Sequence, residues 1–337
     1  MKTFAKSKIN DVLDRLSADA KTYVPLNDGT STRFGVWTEN RKTDLALDIV
    51  NTLLPPKGIV FPQNEKMYDY KTEGQKTEIT KTYAETEDTI VFGMRACDRK
   101  SLAALDQVFL TRDYVDSLYK ARRDHLTVIG KACTKSGPFC FCSSMEVDQM
   151  GADGADVMLY ENADEFGWEP VTEKGKELTA KLGELLTEKK DFKKPSAAEC
   201  KLKIDVKGLP EKLSGLFEHP VWDEMAGRCV NCGACTYICP SCHCFDIQVN
   251  NHGEEGYRFR CWDSCMFLEY NMAAGGHNPR AGKRDRFRQR FLHKLEYFHE
   301  RYGAYGCSGC GRCVAMCPNG NNIVSVVNRL KEVQANV

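Results

Sequence analysis

The stretch that decides the fold is Cys229-Val-Asn-Cys232-Gly-Ala-Cys235-Thr-Tyr-Ile-Cys239-Pro240. A second copy, Cys307-Ser-Gly-Cys310-Gly-Arg-Cys313-Val-Ala-Met-Cys317-Pro318, lies near the end of the chain. Both copies follow the run C-x2-C-x2-C-x3-C-P. Three thiolates on one tight loop can reach three corners of one iron–sulfur cube, whereas the fourth, carried away before the proline, reaches a different cube.

This run is typical of bacterial two-cluster ferredoxins and predicts two 4Fe–4S clusters. For cluster I the predicted ligands are Cys229, Cys232, Cys235 and Cys317, and for cluster II they are Cys307, Cys310, Cys313 and Cys239. Paired CxxC motifs also bind zinc, which is the alternative interpretation. Zinc gives no reason for the x3 step followed by proline, repeated in both copies.

Composition limits the classes of protein to which the chain can belong. With 337 residues, two domains are expected. Lys+Arg and Asp+Glu both number 47, so no excess of positive charge indicates a nucleic-acid partner. The 17 cysteines, together with an N-terminus that lacks an apolar signal segment, favour thiolate ligands in a reducing cytoplasmic compartment. No apolar run is long enough for a membrane span, and we expect no membrane association.

Apolar runs predict buried strands at 88–95, 126–130 and 155–160, and apolar periodicity predicts a helix over 9–16. Strands that alternate with helices along the chain are typical of an α/β domain. We place this domain at residues 1–188.

The rest of the chain is predicted to be a linker and a second domain. Residues 189–221 are rich in lysine, are interrupted by prolines and include one short predicted strand at 202–206. Residues 222–337 are the predicted dicluster ferredoxin domain, with a long, partly helical insertion at 241–306 between the two motifs. The fold class is therefore predicted to be α+β.

A third site is predicted in the N-terminal domain. Four cysteines lie at strand ends or in the loops that follow them, and such ends meet along one edge of a sheet. They are Cys97, Cys133, Cys140 and Cys142. We predict a third 4Fe–4S cluster here, ahead of zinc, and the alternative is that these are buried free cysteines. Asp98 is predicted to cap the helix that follows.

The remaining cysteines leave several interpretations open. Four cysteines follow the first motif, namely Cys242, Cys244, Cys261 and Cys265. One interpretation is that they hold a further cluster or a zinc ion. The other is that they only line the surroundings of the ferredoxin clusters. Cys200 stands alone in the predicted linker and is expected to be a free thiol. The basic run 283–290 is typical of a solvated helix face; beside clusters it would instead dock an acidic partner or raise their potential.

Further motifs make the chain resemble the electron-transfer component of anaerobic sulfite reductases and the beta subunit of cytoplasmic NAD(P)-linked nickel–iron hydrogenases, the sulfhydrogenases. The most specific motifs are Gly93-Met-Arg-Ala-Cys97-Asp98, Tyr119-Lys-Ala-Arg-Arg123, Cys140-Phe-Cys142-Ser, Cys239-Pro-Ser-Cys242-His-Cys244-Phe, Trp262-Asp-Ser-Cys265, Ala274-Gly-Gly-His277 and His293-Lys-Leu295. The resemblance supports the third cluster, whereas Cys261 fits the shared pattern less well than Cys265.

The resemblance implies an electron-transfer subunit of a hetero-oligomer. Such a subunit relays electrons between a flavin subunit that uses NAD(P)H and a catalytic subunit that carries sirohaem or nickel–iron. We expect no catalytic residue in this chain and no cofactor besides the clusters. The alternatives are a self-sufficient reductase that binds flavin in the N-terminal domain, although no G-x-G-x-x-G motif is present, and a zinc-binding scaffold.

Overall fold

The computed structural model describes residues 1–83, 87–111 and 114–334, which fold into two β-sheets and a helical C-terminal region. The strands are β1 (Lys2–Ala5), β2 (Lys21–Asn27), β3 (Thr32–Val36), β4 (Asn64–Glu73), β5 (Lys76–Thr82), β6 (Thr89–Met94), β7 (Leu126–Lys131), β8 (Val157–Glu161), β9 (Glu165–Pro170), β10 (Thr187–Glu188), β11 (Phe245–His252) and β12 (Glu255–Trp262). The helices are α1 (Ile9–Ser17), α2 (Ala96–Phe109), α3 (Ser117–Asp124), α4 (Glu173–Leu182), α5 (Leu209–Ser214), α6 (Val221–Gly227), α7 (Ala234–Tyr237), α8 (Lys283–Leu292), α9 (Phe298–Tyr302), α10 (Arg312–Met316) and α11 (Ile323–Glu332).

The first sheet has the strand order β10-β1-β9-β8-β7-β6-β2-β3. Its centre, β8-β7-β6-β2, is parallel, and its flanks are antiparallel. The predicted strands at 88–95, 126–130 and 155–160 are confirmed as β6, β7 and β8. Helices α1 and α4 cover one face, and α2 and α3 cover the other, which explains why the central strands are apolar on both sides.

The second sheet joins distant parts of the sequence, because β11-β12 from the insertion pairs with β4-β5 from the N-terminal segment. Its anchor is Arg260, which is 1% exposed, forms ion pairs with Glu65 and Asp116 and lies over the Phe61 ring at 5.2 Å. A buried guanidinium needs such partners, since an unpaired charge in the interior is costly.

Part of the segment 189–221 packs into the protein core, whereas most of 189–199 is exposed. The residues of this segment that are buried in the core are Cys200, Ile204, Val206, Leu209, Leu213, Leu216 and Val221. The strand predicted at 202–206 is wrong, since no strand forms there. Helix α5 follows instead, and its Leu209 and Leu213 are buried in the same core as Trp222 of α6. The same core includes the apolar faces of α8 and α11.

The predicted cap at Asp98 is also wrong. Helix α2 begins at Ala96, with Arg95 at the N-cap position and no side-chain cap. Asp98 lies in the first turn, is 3% exposed and accepts two hydrogen bonds from the guanidinium of Arg312 in α10, at 2.6 and 3.0 Å. The pair ties the parallel sheet to the second cysteine motif.

We predict that Asp98→Asn destabilises the cluster-loaded chain by about 3–5 kcal/mol, because the variant removes the carboxylate that pairs with the buried Arg312 guanidinium. Anaerobic chemical denaturation measures the change in the free energy of unfolding. The matched control is Glu224→Gln, which removes one partner of the exposed Arg329 ion pair and is expected to have little effect. Equal effects of the two substitutions would contradict the prediction.

Candidate metal centres

The first cysteine motif begins after α6 and includes α7. Gly233 caps α7 with φ +72°, and a Cβ at this position would lie 2.6 Å from the Phe267 ring, so the turn requires glycine. The motif forms one wall of a cavity. All four predicted ligands of cluster I line it, namely Cys229, Cys232, Cys235 and Cys317. The cavity and its thiols fit a 4Fe–4S cluster.

The second motif meets the fourth cysteine of the first motif. Burial is the main cause that raises the pKa of Cys307 to about 11, and the neighbouring Cys239 adds to the rise. Burial also raises the pKa of Cys310 and of Cys313, and Cys239 lies near enough to raise both further. The structure therefore brings together the four ligands predicted for cluster II. A thiol whose pKa is raised holds its proton at pH 7, so iron binding would displace protons.

Cys239→Ser is expected to damage cluster II and to spare cluster I, although Cys239 belongs to the first motif in sequence. The reason is that its thiol lies with Cys307, Cys310 and Cys313. EPR spectra of the dithionite-reduced variant report which cluster signal is lost, and Cys317→Ser is the matched variant for cluster I. Loss of the cluster I signal in Cys239→Ser would reverse the assignment.

The four cysteines predicted for the third site come together at the carboxyl ends of β6 and β7. The Asn51 side chain joins two of them: its Oδ1 accepts from Cys97 Sγ at 3.6 Å, and its Nδ2 lies 4.0 Å from Cys140 Sγ. Cys133 follows β7 and lies near enough to Cys97 and Cys142 to raise the pKa of each, a smaller effect than burial. This is the sheet edge where ligands of parallel sheets collect.

Cys200 also belongs to this site, which the sequence analysis did not predict. Its Sγ lies 3.6 Å from Cys142 Sγ, and Gln149 Nε2 donates to both sulfurs, at 3.1 Å to Cys200 and 3.5 Å to Cys142. Burial raises the pKa of Cys142 to about 12, and Cys200 contributes to the rise. Five thiols therefore surround one site, one more than a cubane cluster binds.

The third site lies directly against the cluster II loop. Phe141 N–H donates to Gly309 O at 3.0 Å, and Asn51 Nδ2 donates to Cys310 O at 2.7 Å. A Cβ on Gly309, whose φ is +66°, would lie 2.5 Å from Cys142 Cα. Only glycine permits this close approach of the two loops.

Substitution of Cys97 by serine is expected to remove about four irons per chain while both ferredoxin clusters remain, because Cys97 is a predicted ligand of the third cluster. Cys200→Ser is the matched control, since it removes a thiol from the same pocket and is expected to keep the iron. Iron and acid-labile sulfide per chain are the measured quantities. If Cys200→Ser loses iron and Cys97→Ser does not, the prediction is contradicted, and Cys200 is the ligand in place of Cys97.

Much of the basic run 283–290 is buried, so its interpretation as a solvated face is wrong for Arg286, Arg288 and Arg290. Arg290 Nη2 donates to Cys235 O at 2.9 Å, and Arg290 Nη1 lies 3.8 Å from Cys242 Sγ. Nearby, the rings of His243 and His293 lie 5.3 Å apart. Burial lowers the pKa of His243 to about 4 and that of His293 to about 3, so both are neutral at pH 7.

Among residues 1–83, 87–111 and 114–334, no three His, Cys, Asp or Glu side chains are placed to hold a single metal ion. A cubane cluster instead distributes its thiolates over four iron corners, so its ligand set has a wider geometry. Within the same ranges, no helix has the length and apolar character needed to cross a membrane.

Comparison with known protein families shows the class of protein to which the C-terminal part of the chain belongs. The family model described as "4Fe-4S dicluster domain" matches residues 228–321, the region that contains both cysteine motifs. The chain is therefore an iron–sulfur protein with a dicluster domain in its C-terminal part.

A relative over the full length then assigns the family. The chain is 31% identical over 331 residues to sulfhydrogenase 2 subunit beta of Pyrococcus furiosus, and the alignment covers 96% of each chain. The chain belongs to the sulfhydrogenase beta-subunit family, which confirms the resemblance predicted from its motifs. No solved structure shows significant similarity to the chain.

Proposed function

We propose that this chain is an electron-transfer subunit that relays electrons between a flavin subunit using NAD(P)H and a catalytic subunit of the sirohaem sulfite reductase or nickel–iron hydrogenase type. The dicluster domain and the full-length similarity to a sulfhydrogenase beta subunit support this proposal. We further propose that the chain works in the cytoplasm as part of a hetero-oligomer and has an N-terminal α/β domain at 1–188 and a ferredoxin domain at 222–337.

The observation that carries the proposal is that the three cysteine sets are neighbours in space, each in contact with the next. Asn51 contacts thiols of the third site and the Cys310 carbonyl of the cluster II loop. Cys313, a predicted cluster II ligand, also lines the cavity that holds the cluster I ligands. Three neighbouring sites, in the order third site, cluster II and cluster I, suit the stepwise passage of electrons.

Both ends of this series approach the protein surface. At the cluster I end, Cys232 is exposed and the adjacent Val230 is 59% exposed. At the third site, Phe139 is 44% exposed beside Cys140. Exposed apolar side chains next to a redox centre are suited to docking a partner, so each end offers a place for one neighbouring subunit.

The clusters would supply one-electron transfer, and the chain supplies their ligands and their electrostatic surroundings. Backbone N–H groups point at ligand sulfurs in all three sites: Asn231 at Cys229, Gly309 at Cys307 and Gly137 at Cys140, at 3.3–3.4 Å. Such hydrogen bonds stabilise the more negative reduced state and raise the reduction potential. Three predicted ligands of the third site are buried, namely Cys97, Cys140 and Cys142, and the four predicted ligands of cluster II are partly buried.

The isolated chain is expected to be inert towards NADH and NADPH but to be reduced by dithionite, since the potentials of iron–sulfur clusters span a wide range that includes roughly −400 mV. Bleaching of the cluster absorbance measures reduction. Addition of the flavin subunit from the native complex should make NAD(P)H effective. In that complex Cys239→Ser should slow turnover of sulfite or protons far more than NAD(P)H–dye activity, which the flavin subunit performs alone.

Rapid oxidation of NAD(P)H by the isolated chain, with flavin bound to it, would contradict the relay and favour the self-sufficient reductase. Zinc in place of iron in anaerobically purified chain would favour the scaffold. The iron content distinguishes the zinc scaffold from the self-sufficient reductase, since the reductase would still contain iron.

A further inference from the structure

Three cysteines that belong to none of the sites above converge at the base of the β11-β12 hairpin. Cys244 directly precedes β11, and Cys265 follows β12 by three residues. Phe245 pairs with Trp262 in the hairpin register, and Asp263 N–H donates to Cys244 O at 3.0 Å. The closed hairpin therefore brings the segments that carry Cys244 and Cys265 side by side.

The thiols lie close to one another. Cys244 is near enough to Cys265 and to Tyr270 for each of these groups to shift its pKa. Cys242 likewise lies near Cys265 and near Cys239, the predicted ligand of cluster II. Cys265 is buried, with 8% of its surface exposed, and Cys242 and Cys244 are partly buried. A set of neighbouring thiols next to an iron–sulfur site has the chemistry of a metal site.

Three buried cations surround the same thiols. They are Lys57, Arg290 and Lys294, which are 5%, 3% and 4% exposed. Lys57 Nζ donates to Cys242 O at 2.9 Å, and Lys294 Nζ donates to Ser241 Oγ and Gly306 O at 2.9 Å. Arg290 Nη1 lies 3.8 Å from Cys242 Sγ, and its Nε has no hydrogen-bond partner.

In the part of the chain that the structure describes, no carboxylate forms an ion pair with any of these three side chains. Buried charges are tolerated only when opposite charge compensates them. Thiolates bound to iron supply negative charge at this place. Lys294 and Arg290 lie near Cys239 of cluster II, and the thiols near Lys57 are Cys242, Cys239 and Cys244. The three cations are therefore shared between cluster II and the set formed by Cys242, Cys244 and Cys265.

We propose that Cys242, Cys244 and Cys265 hold a further 4Fe–4S cluster, beside cluster II and under Lys57, Arg290 and Lys294. This inference rests on the proposed role as an iron–sulfur electron-transfer subunit and extends it by one centre. The cluster has three cysteine ligands, because Cys239 serves cluster II, and its fourth iron has no thiolate from this set. A centre at this position would exchange electrons with cluster II and lies on the side of cluster II that faces the insertion.

Cys261 is not part of the site, although it was a candidate from sequence. It lies inside β12, opposite Asp246 of β11, and the charges that act on it come from Asp246 and Asp263 and not from another thiol. Its nearness in sequence and its separation in space make Cys261→Ser a matched control.

The test compares Cys244→Ser, Cys265→Ser and Cys261→Ser after identical anaerobic iron–sulfur reconstitution. Iron and acid-labile sulfide per chain, with native mass spectrometry of the cluster-loaded chain, count the clusters. Cys244→Ser and Cys265→Ser are expected to lose about four irons each, and Cys261→Ser is expected to lose none. The EPR signals of the two ferredoxin clusters should persist in all three variants, which shows that the fold is intact.

Unchanged iron in both Cys244→Ser and Cys265→Ser, or zinc found at this site, would overturn the proposal. If these variants do not fold, mild oxidation of the unaltered chain decides, because a three-cysteine cluster readily loses its fourth iron. A 3Fe–4S EPR signal is then expected, and its absence overturns the inference. Failure of the proposed function is distinguishable, since the unaltered chain would then lack the ferredoxin signals themselves.

Discussion

The buried ion pair between Asp98 and Arg312 is the contact on which the arrangement of the redox sites depends. It joins the first turn of α2, which carries Cys97, to α10, which follows Cys310. Arg312 Nε also donates to Thr52 O at 2.7 Å, next to Asn51. Each charge is costly to bury alone, so loss of either partner would destabilise the packing of the N-terminal domain against the ferredoxin loops. Its formation places the third site against cluster II.

The same electrostatic argument applies to the clusters themselves. The interior around the second motif contains buried cations with thiols as their nearest acidic groups, and the two histidines there are neutral at pH 7. Cluster binding converts protonated thiols into thiolates and brings net negative charge into this interior. Folding and cluster insertion are therefore coupled, and Arg290 of α8 and the nearby Lys294 act as internal counter-charges in addition to any effect on potential.

Sequence alone predicted the features that depend on local spacing. These features are the two cysteine motifs, the parallel strands β6 to β8 and the strand-end cysteines. Each follows from a short sequence pattern that favours one structure. The hairpins β4-β5 and β11-β12 were not predicted. Strand β5 is exposed along its whole length and lacks alternation of apolar and polar residues. In β11, by contrast, Phe245, Ile247 and Val249 alternate with polar residues, so a strand signal was present in the sequence.

Other features depend on tertiary contacts that no local pattern encodes. Cys200 has no neighbouring cysteine in sequence, yet it packs against Cys142 because residues 189–221 fold back into the core. Asp98 has the residue type of an N-cap, but burial beside Arg312 gives it a different partner. In both cases a contact between residues far apart in the chain decides the role of the side chain.

The central claim is that the cysteine sets hold clusters close enough to form one continuous path. EPR spectroscopy of the fully reduced chain tests it most directly, because neighbouring paramagnetic clusters broaden and split each other's signals by magnetic coupling. The account predicts broadened, interacting spectra that become simpler when cluster II is removed by Cys239→Ser. Sharp signals from magnetically isolated clusters, unchanged in that variant, would contradict it.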